Sequence, residues 1–419
     1  MTPGARLQAA IDLVDRIASA RQPADQAIKA WGAANRYAGS KDRKAVAERV
    51  YLALRQPPVE GEGARGRVLA SLIAHDRLTA DQIAALFDGQ GHGPAPLTDA
   101  ERQALGRPRD DAGLPPFVQA QLDASFGPDA ADDAAALLSS RAPVDIRVNG
   151  LADDVEAVRW GLDAARIAAS ATPWSALGLR LEGAPDLAPL DLFKAGAFEV
   201  QDEGSQIVAF LAGSGRPQFV IDYCAGGGGK TLALAQLEPR RLIACDINGD
   251  RLNAIRPRLA RAGVSADLRK LGPTGEGAFD LQGLADLVLV DAPCSGSGVW
   301  RRKPEQAWRL TEADLERFAD IQGAVLDRAA KLVKPGGRLA YVTCSVLHAE
   351  NGAVADAFLT DHASDYRPVR IADALDTDLL TEPARARLAD LAQGAHTLQL
   401  SPRRTGTDGF FIALFERIP

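Results

Sequence analysis

Asp286 to Trp300 reads DLVLVDAPCSGSGVW, and the fold follows from how this stretch is read. Its first half is a continuous apolar run that closes on a carboxylate, Asp291. That is how a strand buried on both faces of a parallel sheet presents itself. Beyond it come Pro293, Cys294 and a run of small residues from Ser295 to Gly298, which lets backbone approach a ligand closely. Ligands of open α/β sheets sit at the carboxyl ends of the strands. An acid, a thiol and a glycine-rich loop delivered together to that edge point to chemistry. An ordinary turn after a buried strand would use similar residues, so the neighbouring sequence has to decide.

Outward from this stretch the pattern alternates strand and helix, the mark of a parallel sheet covered on both faces. QFVIDY enters the loop CAGGGG, Cys224–Gly229, and a helix is predicted over Lys230–Leu237. RLIACD follows and ends at Asp246. Helices are predicted over Leu252–Ala262 and Thr311–Leu332, and strand GRLAYVT is followed at once by Cys344. A glycine turn between strand and helix, then an acid at the tip of the next strand, is the geometry that holds a nucleoside ribose. GGKT suggests a nucleotide-triphosphate loop, but that pattern needs glycine where Cys224 stands. The dinucleotide fingerprint fails too, because Thr231 occupies its third glycine. A nucleoside site without a phosphate cradle is left, and adenosine carrying a sulfonium methyl donor fits it better than ATP or NAD.

The 419 residues exceed what one core holds, so two or three domains are expected. Apolar and charged contents of 46% and 25% are those of a soluble globular protein. No apolar run reaches membrane-span length and no leader pattern opens the chain, so a cytoplasmic protein with no membrane partner is expected. The net charge of −7 argues against an all-over nucleic-acid binder but allows a local basic surface. The four cysteines, Cys224, Cys245, Cys294 and Cys344, contain no CxxC pair, so no metal site is expected. Cys224 and Cys245 read as small buried hydrophobes. Helical periodicity covers Ala5 to about Arg55, with a basic run from Arg36 to Arg55 that suits a solvated face, and more helix is predicted from Arg67 to Phe87. Gly89–Pro116 is a candidate linker. From Pro143, VDIRVNG, a helix over Asp153–Ala169 and ALGLRLEG suggest a compact β-α-β unit, and a strand at Ala197–Val200 leads into QDEGSQIVAFL.

CAGGGGKT, ACDIN, DAPCSGSG, WRRKPE, KPGG, TCS from Thr343 to Ser345 and DGFF from Asp408 to Phe411 occur in the order seen in RNA 5-methylcytosine methyltransferases of the Sun, or RsmB-like, family. The chain resembles that family from about Pro143 to Pro419. The resemblance implies an α/β fold in three parts: a helical NusB-like accessory domain over 1–130, a small α/β RNA-binding unit over 131–200, and a Rossmann-like methyltransferase domain over 201–419. It implies S-adenosylmethionine as cofactor, a monomer, and RNA as partner. The RNA would be single-stranded or remodelled because the base must leave its stack. Ribosomal RNA is the expected substrate and transfer RNA the alternative. Cys344 is carried over as the nucleophile toward carbon 6 of cytosine, Cys294 as the group that assists release, and Asp291 as a contact to the base beside the cofactor. Lys230, Asp246, Arg251 and the loop Cys224, Ala225, Gly226, Gly227, Gly228 and Gly229 are carried over as cofactor contacts. A helix over Glu350–Leu359 is expected to help ionise Cys344. Arg301, Arg302 and Lys303 are expected to face the RNA.

Two departures stand out. Gly226-Gly227 replaces the family's Ala-Pro, which loosens the loop, and no acid marks the tip of the third strand. The competing functional class is an RNA-binding assembly factor without catalysis. A nucleoside triphosphatase comes third.

Overall fold

The computed structural model describes residues 1–57, 63–105, 113–139 and 141–419. They form two compact units. The first comprises Met1–Ala120, Ala134–Ser140 and Val299–Leu310. The second comprises Gln121–Asp133, Arg141–Gly298 and Thr311–Pro419.

The second unit is built on two sheets. Strands β1 (Val144–Val148), β2 (Ala169–Ala171), β3 (Gly178–Leu181) and β4 (Phe198–Val200) form an antiparallel sheet in the order β2-β3-β1-β4. One feature differs from expectation. The predicted Asp153–Ala169 helix spans only Val155–Ala164, started by the Asp154 carboxylate accepting the Ala157 N–H, and its expected end becomes β2. The strand expected at Ala197–Val200 spans Phe198–Val200, pairs with β1 and leads into helix Glu203–Ala212 as expected.

The larger sheet contains β5 (Phe219–Asp222), β6 (Arg241–Asp246), β7 (Asp267–Lys270), β8 (Ala285–Asp291), β9 (Val333–Thr343), β10 (Tyr366–Pro368), β11 (Thr397–Leu400) and β12 (Phe410–Arg417). Its order is β10-β12-β9-β8-β5-β6-β7, with β11 on β12. From β7 to β9 all pairs are parallel, and β12 runs antiparallel to β9. Alternate residues of β8 feed opposite cores. Leu287 and Leu289 pack with helix Glu203–Ala212, Val288 and Val290 with helix Glu312–Ala330. Burial on both faces is why the strand reads as an unbroken apolar run. The predicted Leu252–Ala262 helix is two helices, Gly249–Asn253 and Arg256–Ala262. Pro257 lacks the N–H and its ring would strike the carbonyl four residues back, so the helix must restart there.

In the first unit, helices Pro3–Ser19, Ala24–Ala34, Ser40–Leu54, Gly63–Ala74 and Ala80–Leu86 enclose an apolar core that includes Leu13, Ile17, Val46, Val50, Leu69 and Phe87. The helix expected over Arg67–Phe87 divides because Arg77 turns left-handed, with φ of 55°, and Thr79 starts a new helix with a capping box to Gln82. Part of the predicted linker, Asp99–Leu105, is helical, and its residues 106–112 lie outside the described residues.

The segment Val299–Leu310 corrects a functional expectation at Arg301, while Arg302 is half-buried and Lys303 exposed. It was expected to present Arg301, Arg302 and Lys303 to RNA, yet it packs within the helical unit and leaves Arg301 only 5% exposed. Two indoles hold it. Trp300 is fully buried, and the Trp308 N–H donates to the Leu54 carbonyl at 2.6 Å beneath the Arg67 guanidinium, 4.4 Å from the ring centroid. Arg55 donates to the Arg301 carbonyl at 2.7 Å, and Glu305 accepts the Ala24 N–H at 3.2 Å, where a helix begins. Lys303 remains exposed. Trp308→Ala should therefore cost the helical unit about 2–4 kcal/mol, through lost packing and an unpaired carbonyl. Lys303→Ala should stay within about 0.5 kcal/mol. Urea unfolding, read with hydrogen exchange in helix Ser40–Leu54, checks both.

Candidate active site

Neighbouring strand tips deliver the site. Asp291 of β8 lies beside Val342 of β9, and the Ala292 N–H continues the ladder to the Val342 carbonyl at 2.9 Å. Cys294 and Cys344 therefore leave adjacent tips, although they are 50 residues apart in sequence. Their sulfurs are 3.4 Å apart. Backbone closes the two loops on each other, because the Gly298 N–H donates to the Cys344 carbonyl at 2.9 Å and the Gly409 N–H to the Gly298 carbonyl at 2.8 Å. A Cβ on Gly298 would lie 2.0 Å from the Gly409 carbonyl oxygen. DGFF thus supplies a backbone wall to the catalytic loop, and Phe410 places its ring 5.0 Å from the Lys230 ammonium.

The two thiols are not electrostatically equivalent. The Cys344 thiol is lowered, first by the hydrogen bond from the Cys294 S–H and also by Lys230, against burial, Asp291 and Glu350, which raise it. The Cys294 thiol is pushed well up by that same hydrogen bond, then by burial. The expected helix effect is replaced by these neighbours. The helix starts later than predicted, at Gly352, after a short turn over His348–Glu350. Cys224 and Cys245 are different again. Burial raises both, Cys245 to about 12, so these two are inert packing thiols.

Lys230 binds Asp291 through Nζ and Oδ1 at 2.8 Å. Burial alone would lower this lysine, but Asp291 outweighs it and holds the ammonium charged. The loop Cys224–Gly229 leaves β5 between β8 and β6, with the Ala225 N–H on the Cys245 carbonyl at 2.8 Å. Asp246 ties it down, accepting the Gly226 N–H at 2.8 Å on one oxygen and the Asn248 N–H at 2.7 Å on the other. A carboxylate has about four acceptor sites, so capacity toward a ribose remains. Gly226 has φ of +54°, and a Cβ there would meet Arg251 Nη2 at 2.5 Å. The left-handed φ favours glycine here, whereas the Arg251 tip could move aside. The third strand brings no acid to this edge: Lys270 lies level with Asp246, while Asp267 pairs back at Ile243.

Sequence reasoning passed over two acids. Asp222 looked like a strand terminus. It is fully buried, accepts the Thr231 hydroxyl at 2.6 Å on Oδ2, and leaves Oδ1 without a partner. Its pKa is pushed up to about 7, mainly by burial, with Asp291 adding to the rise and Thr231 opposing it. Glu350 looked like the start of a helix. It is fully buried between the two thiol loops. The signal that could have flagged Asp222 is its place: it ends the strand between β8 and β6, level with Leu289 and Ala244 and two residues short of Asp291 and Asp246.

These groups fit S-adenosylmethionine. Asp222, Asp246 and Asp291 bring three carboxyl groups to the loop, where Lys230, Arg251 and Arg258 also approach it, and the acids suit a donor bearing ammonium and sulfonium charge. The orphaned Asp222 oxygen is an acceptor awaiting a donor. No cluster of metal-ligating residues occurs among the described residues.

Residues 211–416 match the family described as 16S rRNA methyltransferase RsmB/F. A protein of Sodalis glossinidius named ribosomal RNA small subunit methyltransferase B is 34% identical over 324 residues, covering 76% of this chain and 68% of that relative. The chain spans 49% to 72% of the length of curated relatives bearing that name. Among solved structures, that of PH0851 superposes with a TM-score of 0.74 at 22% identity, covering 99% of each chain. NSun6 from Pyrococcus horikoshii with SFG gives 0.60 at 20% identity, covering 73% of this chain and 98% of that one. At these identities the structures establish the fold.

Because its raised acid binds a proton more tightly in the native state, Asp222 contributes stability below about pH 4 that is lost as pH rises through about 7. The loss is on the order of 4 kcal/mol for a rise of about three pH units. Asp222→Asn should gain stability relative to the parent between pH 5 and pH 8 in urea unfolding. A difference that does not change with pH would contradict this.

Proposed function

The chain belongs to the 16S rRNA methyltransferase RsmB/F family, and on that premise we propose that it methylates carbon 5 of a cytosine in ribosomal RNA through a covalent bond to Cys344. S-adenosylmethionine supplies an electrophilic methyl group when bound. Lys230, Asp246, Arg251, Asp222 and the backbone of Cys224–Gly229 would hold it.

Carbon 5 of cytosine is a poor nucleophile, which is why a thiol is needed. The Cys344 thiolate adds to carbon 6, the sulfur–carbon bond forms, and the electron pair of the 5,6 double bond moves to make carbon 5 nucleophilic. Once carbon 5 carries the methyl group, a base removes its proton, the 5,6 double bond re-forms, and the electron pair of the sulfur–carbon bond returns to Cys344. A free thiol is mostly protonated at neutral pH. Similarity to the family assigns attack to Cys344, and the neighbouring Lys230 ammonium favours its anion. Cys294, retaining its proton, is placed to act on release. Asp291, its side chain 31% exposed and anchored by Lys230, can accept from the exocyclic amine of the base.

The observation that carries this reading is the 3.4 Å separation of two unequal thiols beside a lysine–aspartate pair. An assembly factor without catalysis would have no use for that arrangement. Cys344→Ala should bind RNA and cofactor yet neither methylate nor form an adduct. Cys294→Ala should transfer methyl and then stall, so a covalent protein–RNA band accumulates on a denaturing gel and disappears in the double variant. Trapping by Cys344→Ala with an inert Cys294→Ala would reverse the two roles.

A further inference from the structure

Four hydrogen bonds converge on one buried carboxylate behind the thiols. Glu350 Oε1 accepts the Ser295 N–H at 2.7 Å and the Gln322 amide at 3.1 Å, and Oε2 accepts the Ser295 hydroxyl at 2.5 Å and the Ser345 hydroxyl at 2.6 Å. Ser295 follows Cys294, and Ser345 follows Cys344. Gln322, on helix Glu312–Ala330, also donates to the Pro293 carbonyl at 2.9 Å, on the other side of Cys294. Ser345 meets the Ser297 hydroxyl at 2.9 Å, and Ser297 accepts the Val346 N–H at 2.9 Å. The Tyr341 hydroxyl donates to the Glu350 carbonyl. Ser295 and Ser345 each follow a thiol, and Gln322 and Tyr341 fasten the glutamate itself.

We infer that Glu350 is a positioning residue that holds the two thiol loops in register and tunes how readily Cys344 ionises. The inference rests on the reading of Cys344 and Cys294 as the reacting pair. A strand edge fixes the first residue of each loop, and the Gly298 N–H and Ser297 hydroxyl tie the loops further along. Glu350 adds a tie at the residue after each thiol, taking Ser295 and Ser345 as donors to one carboxylate. Its charge has a second effect, because a nearby anion disfavours a thiolate. The charged and titratable groups facing Cys344 are Cys294, Asp291, Lys230 and Glu350. Facing Cys294 are Cys344, Glu350 and the Tyr341 hydroxyl. Glu350 opposes ionisation of both, while Lys230 and the Cys294 S–H favour it at Cys344.

Geometry and charge can be separated because the two oxygens receive different donors. Oε1 receives N–H groups, which can only donate. Oε2 receives hydroxyls, which can turn and accept. Glu350→Gln can keep its oxygen toward the N–H groups and offer its amide to the hydroxyls, so the register survives and the charge goes. Glu350→Ala leaves the donors of both loops without their acceptor.

The experiment is iodoacetamide alkylation of the full-length protein from pH 6 to 10, with Cys344 and Cys294 followed separately by peptide mass spectrometry, beside single-turnover methylation of RNA. In Glu350→Gln the Cys344 alkylation midpoint should move down by about half a pH unit or more, with methylation within about tenfold of the parent. In Glu350→Ala the two thiols should titrate independently, toward the ordinary value of about 8.5, and methylation should fall about 100-fold, the cost of misplacing a reacting group by about 1 Å. A parent-like Cys344 midpoint in Glu350→Gln would overturn the inference, and so would equal behaviour of the two variants. If Glu350→Ala does not fold, the glutamine midpoint still decides. If no protein methylates RNA, the proposed function fails while alkylation still judges Glu350.

Discussion

β8 and β9 pair in parallel, with Asp291 level with Val342, and the chemistry of this chain depends on that register. Parallel neighbours lie about 4.8 Å apart, so loops leaving their tips must share the same space. The register brings Cys294 and Cys344 together, and a slip of one residue would turn the side chains of β8 to the other face. Buried apolar rows on both sides hold it against slippage, with Leu287 and Leu289 in one core and Val288 and Val290 in the other. β12 completes the arrangement by running antiparallel to β9, with Phe411 opposite Thr343. That pairing sets Gly409 against Gly298, where neither residue has room for a side chain.

Charge is distributed unevenly along this edge. Toward β5 and β6 the carboxylates of Asp222 and Asp246 dominate, one with an orphaned oxygen and one fastening the glycine loop. Toward β9 lie the thiols. Lys230 stands between the two regions, paired with Asp291 and close enough to favour a Cys344 anion. The proposed methyl transfer would place the cationic donor on the first side and the reacting sulfur on the second.

The sequence made the strand tips legible because their signals are local. Apolar runs ending in acids or thiols, and glycine between strand and helix, identify β5, β6, β8 and β9 without any knowledge of tertiary contacts. Pro257 was readable as a break in its helix by the same local logic and was passed over. The rest depends on residues distant in sequence. WRRKPE looked like a basic surface because its charges are contiguous, whereas Trp300 and Trp308 commit the segment to the helical unit. Glu350 looked like a helix start because its donors, Ser295 and Gln322, are 55 and 28 residues away. Gly226-Gly227 read as the loss of a proline's restraint, and the left-handed φ of Gly226, which glycine adopts freely, belongs to the first position of that pair.

The central claim is that the two thiols and the glycine-loop site together place a methyl group on carbon 5 of cytosine. Nucleoside mass spectrometry tests this most directly. Unmodified small-subunit ribosomal RNA would be incubated with the protein and S-adenosylmethionine, digested to nucleosides, and the products resolved by mass and retention. The account predicts 5-methylcytidine, formed in a time-dependent manner. A methyl group on a nitrogen of cytidine, on a ribose or on another base would contradict it, because none of those positions requires a thiol to be activated.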